Sequence, residues 1–314
     1  MPNSIDTLRR QLAAFLNITI PDEPVPFQTR ETAQEVGYTR SRLTFPGIDG
    51  DLVPAFLLLP AGAGPFPAVL VHHQHHGQRH LGKSEVCGLA GDPLQAFGPA
   101  LAQSGFAVLA PDSICFEDRR KNQTGIEPHE DDVTQHFNEM CYRLLRGDSL
   151  MRVVLGDSAR AITLLQNHPQ VDAERLGILG HSYGGNTVLF HAPLDERIRF
   201  ACSSGAACSY RQRMAQGTGI EMSQAIPGFA AKYDIGDLLA CMAPRPLLIV
   251  SADEDKYSQD AAQLVAGAQG KWRDLEAADR LEHYRYQGGH ALTQARFEAI
   301  VRWLEAQVTD KVAG

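Results

Sequence analysis

The sequence contains no Cys-x-x-Cys pair, although it has six cysteines, at positions 87, 115, 141, 202, 208 and 241. Closely spaced cysteine pairs are typical of structural zinc sites, and dense cysteine frameworks are typical of disulfide-stabilised secreted domains. Neither arrangement is present in this chain. We therefore expect reduced thiols that are mostly buried as small apolar groups.

The sequence also lacks an excess of positive charge and any long apolar run. Lys and Arg number 29 against 37 Asp and Glu, which gives a formal net charge of −8. This balance excludes the basic surface of proteins that bind nucleic acid or an anionic membrane. No apolar run approaches the length of a bilayer span, and the N-terminal stretch AAFLNI has no secretion-signal pattern. We expect a cytoplasmic protein without nucleic-acid or membrane partners, and homo-oligomerisation stays open.

The composition that is present indicates a folded globular chain. Of the 314 residues, 44% are hydrophobic and 21% are charged, which differs strongly from a disordered sequence. A single α/β domain over residues 1–314 is of ordinary size for that class. Apolar residues at helical spacing predict an N-terminal helix over residues 5–15. The segments 38–45 and 52–59 flank the turn sequence PGIDG and predict an antiparallel hairpin.

Beyond residue 60, apolar runs of strand length alternate with helical stretches, which predicts a parallel sheet built from βαβ units. The predicted strands are 68–72, 106–110, 176–179, 199–203, 246–251 and 281–286, and the predicted helices are 93–103, 144–168, 184–191, 259–268 and 292–308. Two long segments, 113–143 and 204–239, interrupt this alternation and predict cap-like insertions near a substrate. The expected fold class is α/β, with a mostly parallel central sheet, the antiparallel hairpin at its N-terminal end and helices on both faces.

The pentapeptide Gly180-His181-Ser182-Tyr183-Gly184 lies between a predicted strand and a predicted helix. A sharp strand-to-helix turn tolerates only small flanking residues and exposes the central serine above the sheet edge. The NH groups at the start of the helix point to the position where negative charge develops in acyl transfer. We therefore predict Ser182 as a nucleophile and the backbone NH of Tyr183 as an oxyanion donor. The alternative is a chance match in a glycine-containing turn.

A serine hydroxyl needs a neighbouring base, and His290 follows the last predicted strand on a Gly-Gly loop. An acid that orients this base is expected after the strand 246–251, because the chain order of such triads is serine, acid, histidine. Three acids follow that strand, Asp253, Glu254 and Asp255. We favour Asp255 because it lies a few residues past the strand end, and Asp253 stays the alternative.

The run 72–80 contains five histidines, which are potential metal ligands. Adjacent residues at a strand end project in opposite directions, whereas zinc requires imidazoles that converge. We therefore favour an oxyanion-hole loop, in which the backbone NH of Gln74 or His75 acts together with that of Tyr183. No metal and no cofactor are expected.

The sequence resembles α/β hydrolases of the dienelactone-hydrolase-like and acetyl-xylan-esterase-like group, from about residue 45 onward. The matching stretches are HQ at 73–74, GKSE at 82–85, VLAPD at 108–112, GDSL at 147–150, GHSYGG at 180–185, APRPLL at 243–248 and GH at 289–290. The resemblance implies the fold, the triad and ester hydrolysis in general. Dienelactone hydrolases use a cysteine nucleophile where this sequence has Ser182, so their reaction is not implied. The lack of an export signal makes polymeric xylan an unexpected substrate.

The function expected from these residues is hydrolysis of a small-molecule carboxylic ester through an acyl-enzyme on Ser182. The same triad would serve an amidase, a peptidase or a lactonase, because only the pocket distinguishes these activities. A ligand-binding protein without catalytic activity is an alternative from another class, and an intact triad argues against it. A metal-dependent hydrolase that uses the histidine run is the third alternative.

Overall fold

The computed structural model describes residues 4–75 and 77–309. Within these residues, nine strands form one sheet in the order β1-β2-β3-β5-β4-β6-β7-β8-β9. The strands are β1 Gln28–Glu35, β2 Tyr38–Pro46, β3 Leu52–Pro60, β4 Phe66–His72, β5 Ala107–Pro111, β6 Val171–His181, β7 Phe200–Ser204, β8 Leu247–Ala252 and β9 Leu281–Tyr286. The pairs β1–β2, β2–β3 and β3–β5 are antiparallel and all the others are parallel. This confirms the predicted mostly parallel sheet with an antiparallel hairpin at one end.

Ten α-helices connect or flank the strands within the same described ranges. They are α1 Ser4–Phe15, α2 Lys83–Val86, α3 Phe97–Gln103, α4 Asp132–Leu145, α5 Leu150–Gln166, α6 Tyr183–His191, α7 Tyr210–Gln216, α8 Ile235–Met242, α9 Ala261–Asp274 and α10 Gln294–Val308. Among the described residues, no helix has both the length and the apolar character needed to cross a membrane.

Alternating side chains of the buried strands build two hydrophobic layers, one on each face of the sheet. In β4, Leu70 belongs to one layer while Val69 and Val71 belong to the other, as the two-residue period of a strand requires. Helices α1, α5, α6, α8 and α9 cover the Leu70 side, and α3 and α10 cover the opposite side. Helices therefore lie on both faces, as predicted.

Three helix predictions were wrong in their boundaries, among them 259–268, because α9 continues to Asp274. The predicted helix 144–168 is divided, because α4 ends at Leu145 and α5 begins only after Ser149, whose side chain accepts a hydrogen bond from the NH of Arg152. Between the two helices Gly147 has a φ of +73°, a conformation that ends a helix. The predicted helix 93–103 is a short 3₁₀ turn followed by α3, so Pro99 falls in the first turn of α3, where its missing NH is tolerated.

Strand β1 was not predicted, because its sequence QTRETAQE has no apolar alternation and it is largely exposed. It lies at the edge of the sheet and pairs only with β2. The two long insertions carry local structure: α4 lies in and beyond segment 113–143, and α7 and α8 lie in or overlap segment 204–239. Because the parallel strands end at a common edge, the loops after β4, β6, β8 and β9 lie side by side.

Candidate active site

The turn between β6 and α6 holds Ser182 in a strained conformation. Its backbone has φ 56° and ψ −116°, and such conformations cost a non-glycine residue about 1–3 kcal/mol. The flanking glycines permit the turn, because a Cβ on Gly180 would lie 2.2 Å from the carbonyl carbon of Gly184. A Cβ on Gly184 would lie 2.2 Å from the carbonyl oxygen of His72. The turn thus has the tight strand-to-helix geometry that the pentapeptide predicted.

Three side chains from three neighbouring loops meet at this turn. Ser182 Oγ lies 2.7 Å from His290 Nε2, and His290 Nδ1 lies 3.0 Å from Asp255 Oδ1. An ionised carboxylate only accepts hydrogen bonds, so Nδ1 of His290 carries the proton in this arrangement. Nε2 of the neutral imidazole is then the acceptor that faces the Ser182 hydroxyl. The structure therefore brings together all three residues predicted from the sequence.

Asp255 is held rigidly and is only 2% exposed. Its Oδ1 also accepts a hydrogen bond from the NH of Tyr257 at 2.9 Å, and its Oδ2 accepts one from Ser258 Oγ at 2.7 Å. Burial alone would raise the pKa of Asp255, but the hydrogen bonds from His290 and Ser258 outweigh burial and lower it. The carboxylate is therefore ionised and fixed in position at neutral pH.

The neighbouring acids face solvent. Asp253 and Glu254 are exposed, and Asp253 Oδ1 accepts a hydrogen bond from the NH of Gly288 at 2.8 Å. The backbone NH of Glu254 donates to the carbonyl oxygen of Gly288 at 3.1 Å. Both residues therefore shape the loop that carries His290 without contacting its imidazole.

The predicted oxyanion donors lie beside the turn. Because Gly184 closely approaches His72, the start of α6 packs against the end of β4 and the loop that contains Gln74 and His75. Among the described residues, no acceptor is present for the backbone NH of Tyr183 or Gln74. The Gln74 side chain donates to Glu85 Oε1 at 3.2 Å, and the His75 side chain contacts Glu221. The backbone NH groups are thus available for a ligand, and their role as oxyanion donors stays a prediction.

His72, His73 and His75 bind different partners instead of converging. His72 Nε2 lies 2.9 Å from Ser158 Oγ, whereas His73 Nδ1 donates to its neighbour's carbonyl oxygen and its Nε2 accepts from the NH of Ser113. Burial lowers the pKa of His73 to about 4, so it is neutral. His75 pairs with Glu221, and His76 lies outside the described residues.

A buried ionic cluster supports the loop after β4. Within the described residues, Asp112, Glu117 and Asp118 are the one group of acids and histidines close enough to share a cation. The ammonium of Lys83 occupies the centre, at 2.8 Å from Asp112 Oδ2, at 2.7 Å from Asp118 Oδ2 and in contact with Glu117. Although burial disfavours its charged form, the Asp112 and Glu117 carboxylates raise the pKa of Lys83. Lys83 is thus the cation of this cluster.

We predict that Lys83→Met destabilises the protein by about 3–5 kcal/mol, because the buried carboxylates of Asp112 and Glu117 would be left without their cation, whereas Asp118 also pairs with Arg42. Urea denaturation followed by circular dichroism measures this loss. The matched control is Lys121→Met, since Lys121 is 65% exposed in its ion pair with Glu139 and should cost less than about 1 kcal/mol. Equal stability losses in the two variants would contradict the prediction.

A cavity of about 450 Å³ opens directly above the Ser182 hydroxyl. It is lined by His75, Gly77, Ser182, Tyr183, Asn186, Gly205, Arg213, Gly219, Ile220, Glu221, Tyr257 and His290. Segment 204–239 contributes five of these residues. Segment 113–143 contributes none and instead packs behind Tyr183, whose hydroxyl lies 2.6 Å from Ser113 Oγ. Sequence reasoning missed Arg213, Glu221 and Tyr257, because no local motif surrounds them.

The sequence is similar to those of proteins described as hydrolases. A family model described as acetyl xylan esterase matches residues 103–221. A protein of Bacillus subtilis (strain 168) named as hydrolase YtaP is 28% identical over 313 residues, which is 95% of this chain and 97% of that protein.

Solved structures share the fold at low sequence identity. A structure from Bacteroides fragilis NCTC 9343, described as an acetyl xylan esterase, superposes with a TM-score of 0.76 at 15% identity and covers 97% of this chain and 87% of its own. A glucuronoyl esterase from Solibacter usitatus gives a TM-score of 0.68 at 17% identity, over 96% of this chain and 92% of its own. The chain therefore has the α/β-hydrolase fold and is similar to proteins described as acetyl xylan esterases and glucuronoyl esterases.

Proposed function

We propose that Ser182 is the nucleophile, His290 the general base and Asp255 the orienting acid of a two-step ester hydrolysis. The observation that carries this proposal is the chain of hydrogen bonds from Ser182 Oγ through His290 to Asp255. A serine placed at a strained turn with its hydroxyl 2.7 Å from an imidazole nitrogen is positioned for deprotonation. Neither a structural role nor ligand binding alone requires that arrangement.

In the first step, Ser182 Oγ attacks the ester carbonyl carbon while its proton passes to His290 Nε2. The resulting oxyanion accepts hydrogen bonds from the backbone NH of Tyr183 and from that of Gln74 or His75. The C–O bond to the alcohol then breaks, and the imidazolium returns its proton to the leaving oxygen. In the second step, water takes the place of the serine hydroxyl, and the acid product leaves with Ser182 restored.

Asp255 contributes by fixing the imidazole and not by accepting its proton. Its hydrogen bond to Nδ1 keeps Nε2 free to accept the serine proton, and its charge stabilises the imidazolium. The lowered pKa of Asp255 keeps this carboxylate ionised throughout the pH range in which an imidazole titrates.

We further propose a small-molecule ester as the substrate and segment 204–239 as a cap over the site. A cavity of about 450 Å³ is within the range found for small-molecule sites. The cap is supported by the five lining residues that this segment supplies. The esterase descriptions of the family model and of the structural neighbours support an ester over an amide.

A panel of 4-nitrophenyl esters of graded acyl length, with lactones and anilides of matching size, tests the proposed function. We expect ester turnover, together with an acyl-enzyme that mass spectrometry of the intact protein detects after rapid acid quenching. Peptide mapping should place the acyl group on Ser182. Turnover confined to lactones or anilides, or an acyl group on another residue, would contradict the proposal.

We predict that metal removal leaves ester hydrolysis unchanged, because no step of this mechanism uses a Lewis acid and His72, His73 and His75 bind separate partners. Dialysis against a strong chelator, followed by the ester assay, measures the effect. Loss of activity that zinc restores would favour a metal-dependent mechanism instead.

A further inference from the structure

The cavity wall contains a buried arginine without an acidic partner. Arg213, in α7, is 3% exposed, and among the described residues its guanidinium forms no ion pair. Its three hydrogen bonds run to the carbonyl oxygens of Ala206, Gly219 and Tyr257 at 3.3–3.5 Å, and its Nε has no partner within the described residues. A desolvated cation with only long hydrogen bonds is normally compensated by an anion.

Two other buried arginines have stronger partners than Arg213, although their Nε atoms also lack a partner within the described residues. Arg119 binds Asp157 at 2.8 Å and Asp51 at 2.7 Å. Arg296 forms no ion pair among the described residues, but it donates three hydrogen bonds of 2.8–2.9 Å to carbonyl oxygens and so closes the loop before α10. The guanidinium of Arg213 has neither an acid nor short hydrogen bonds, so a purely structural role does not account for its position on the cavity wall.

The ring of Tyr257 lies between Arg213 and His290. Its guanidinium lies over the Tyr257 ring at 5.8 Å, and that ring packs edge-on against His290 with centroids 4.9 Å apart. The other charged residue of the wall, Glu221, is engaged by His75. Glu221 thus has a side-chain partner, whereas Arg213 forms no ion pair among the described residues. The His290 side of the cavity is therefore a place where an anion is favoured.

We infer that Arg213 binds a carboxylate of the substrate, so the enzyme prefers esters that carry a second, free carboxylate. This inference rests on the proposed function, because it assigns a specificity to the same cavity. Arginine suits this role because its planar guanidinium pairs with a carboxylate through charge-assisted hydrogen bonds. The carboxylate can belong to the acyl part or to the alcohol part of the ester.

Two matched pairs of substrates show whether the bound carboxylate belongs to the acyl part or to the alcohol part. 4-Nitrophenyl hemisuccinate against 4-nitrophenyl butyrate places the charge on the acyl part, and 4-acetoxybenzoate against its methyl ester places it on the alcohol part. We expect the wild type to prefer the charged member of at least one pair in kcat/KM. Arg213→Met should reduce that preference by about 10- to 100-fold, the range for a lost charged hydrogen bond.

The matched control is Arg211→Met, since Arg211 lies on the same helix and is exposed. It should keep the wild-type preference, and Arg213→Lys should keep part of it. The inference is overturned if the wild type shows no preference in either pair, or if Arg213→Met lowers both members of a pair by the same factor.

A binding measurement on the wild type tests the inference without a variant and without ester turnover. If Arg213→Met does not fold, calorimetry on the wild type compares benzoate with benzamide, and at least about tenfold tighter binding of benzoate supports the inference. Equal affinities overturn it. Absence of turnover on every neutral ester would instead count against the proposed function, and the benzoate comparison would still decide the carboxylate site.

Discussion

Replacing Ser182 with alanine is expected to lower kcat for ester hydrolysis by about 10⁴ to 10⁶. The hydroxyl that lies 2.7 Å from His290 Nε2 is the atom that attacks the ester in the proposed mechanism, and no other side chain can replace it at this turn. The variant should fold normally, because alanine keeps the Cβ and removes only an oxygen. Steady-state kinetics on the best ester of the panel measure the loss, and circular dichroism checks the fold.

A surface serine gives the control for this substitution. Ser104 is exposed after the end of α3, and among the described residues its Oγ hydrogen-bonds to Glu305 alone, so Ser104→Ala should keep wild-type kcat. If Ser182→Ala keeps more than about a tenth of wild-type kcat, the serine is not the nucleophile, because removal of a nucleophile is never tolerated so well. The α/β-hydrolase fold would stand after that result, and the reacting group would have to be sought elsewhere in the cavity.

Local motifs explain why two of the three central residues could be predicted from the sequence. Ser182 follows a buried strand and is flanked by glycines, and the steric need for glycine at 180 and 184 is a property of neighbouring backbone. His290 could be predicted because β9 is parallel to its neighbour, so the loop after β9 lies at the same sheet edge as Ser182. Both inferences use short-range or topological rules that do not depend on side-chain packing.

The features that could not be predicted depend on contacts between distant segments. Arg213 lies in a segment without strand or helix periodicity, and its place on the cavity wall follows from how α7 packs beside the loop of Tyr257. Strand β1 is a largely exposed edge strand without apolar alternation, so its sequence carries no signal of burial. The break before α5 did have a signal, because Ser149 is a typical N-terminal cap and Gly147 a typical helix terminator.

The choice between Asp253 and Asp255 could be predicted only in part from the sequence. The sequence places three acids after β8, but only the path of the turn decides which one faces the histidine. In the structure the NH of Asp253 donates to the carbonyl oxygen of Tyr286, which keeps that residue beside the strand and its side chain at the surface. Two residues later the chain has turned inward, and Asp255 is buried next to His290.

Asp255→Asn is therefore expected to lower kcat by about 10⁴, and Asp253→Asn to change it little. The amide that replaces the Asp255 carboxylate has the same shape, but its NH₂ group can face His290 Nδ1, which then becomes an acceptor and leaves Nε2 protonated. A protonated Nε2 cannot take the proton of Ser182. Among the described residues, the side chain of Asp253 hydrogen-bonds to the NH of Gly288, and an amide at that position keeps an oxygen that can accept the same hydrogen bond.

Both variants should be compared over a range of concentrations of the same ester, because the two roles predict different changes in kcat and KM. Loss of the orienting carboxylate lowers kcat, because the imidazole is no longer held in its reactive tautomer. A loop defect in Asp253→Asn would raise KM and leave kcat close to the wild-type value. If kcat collapses in Asp253→Asn and survives in Asp255→Asn, the acid is misassigned by two residues, and the hydrogen bond from His290 to Asp255 has only a structural role.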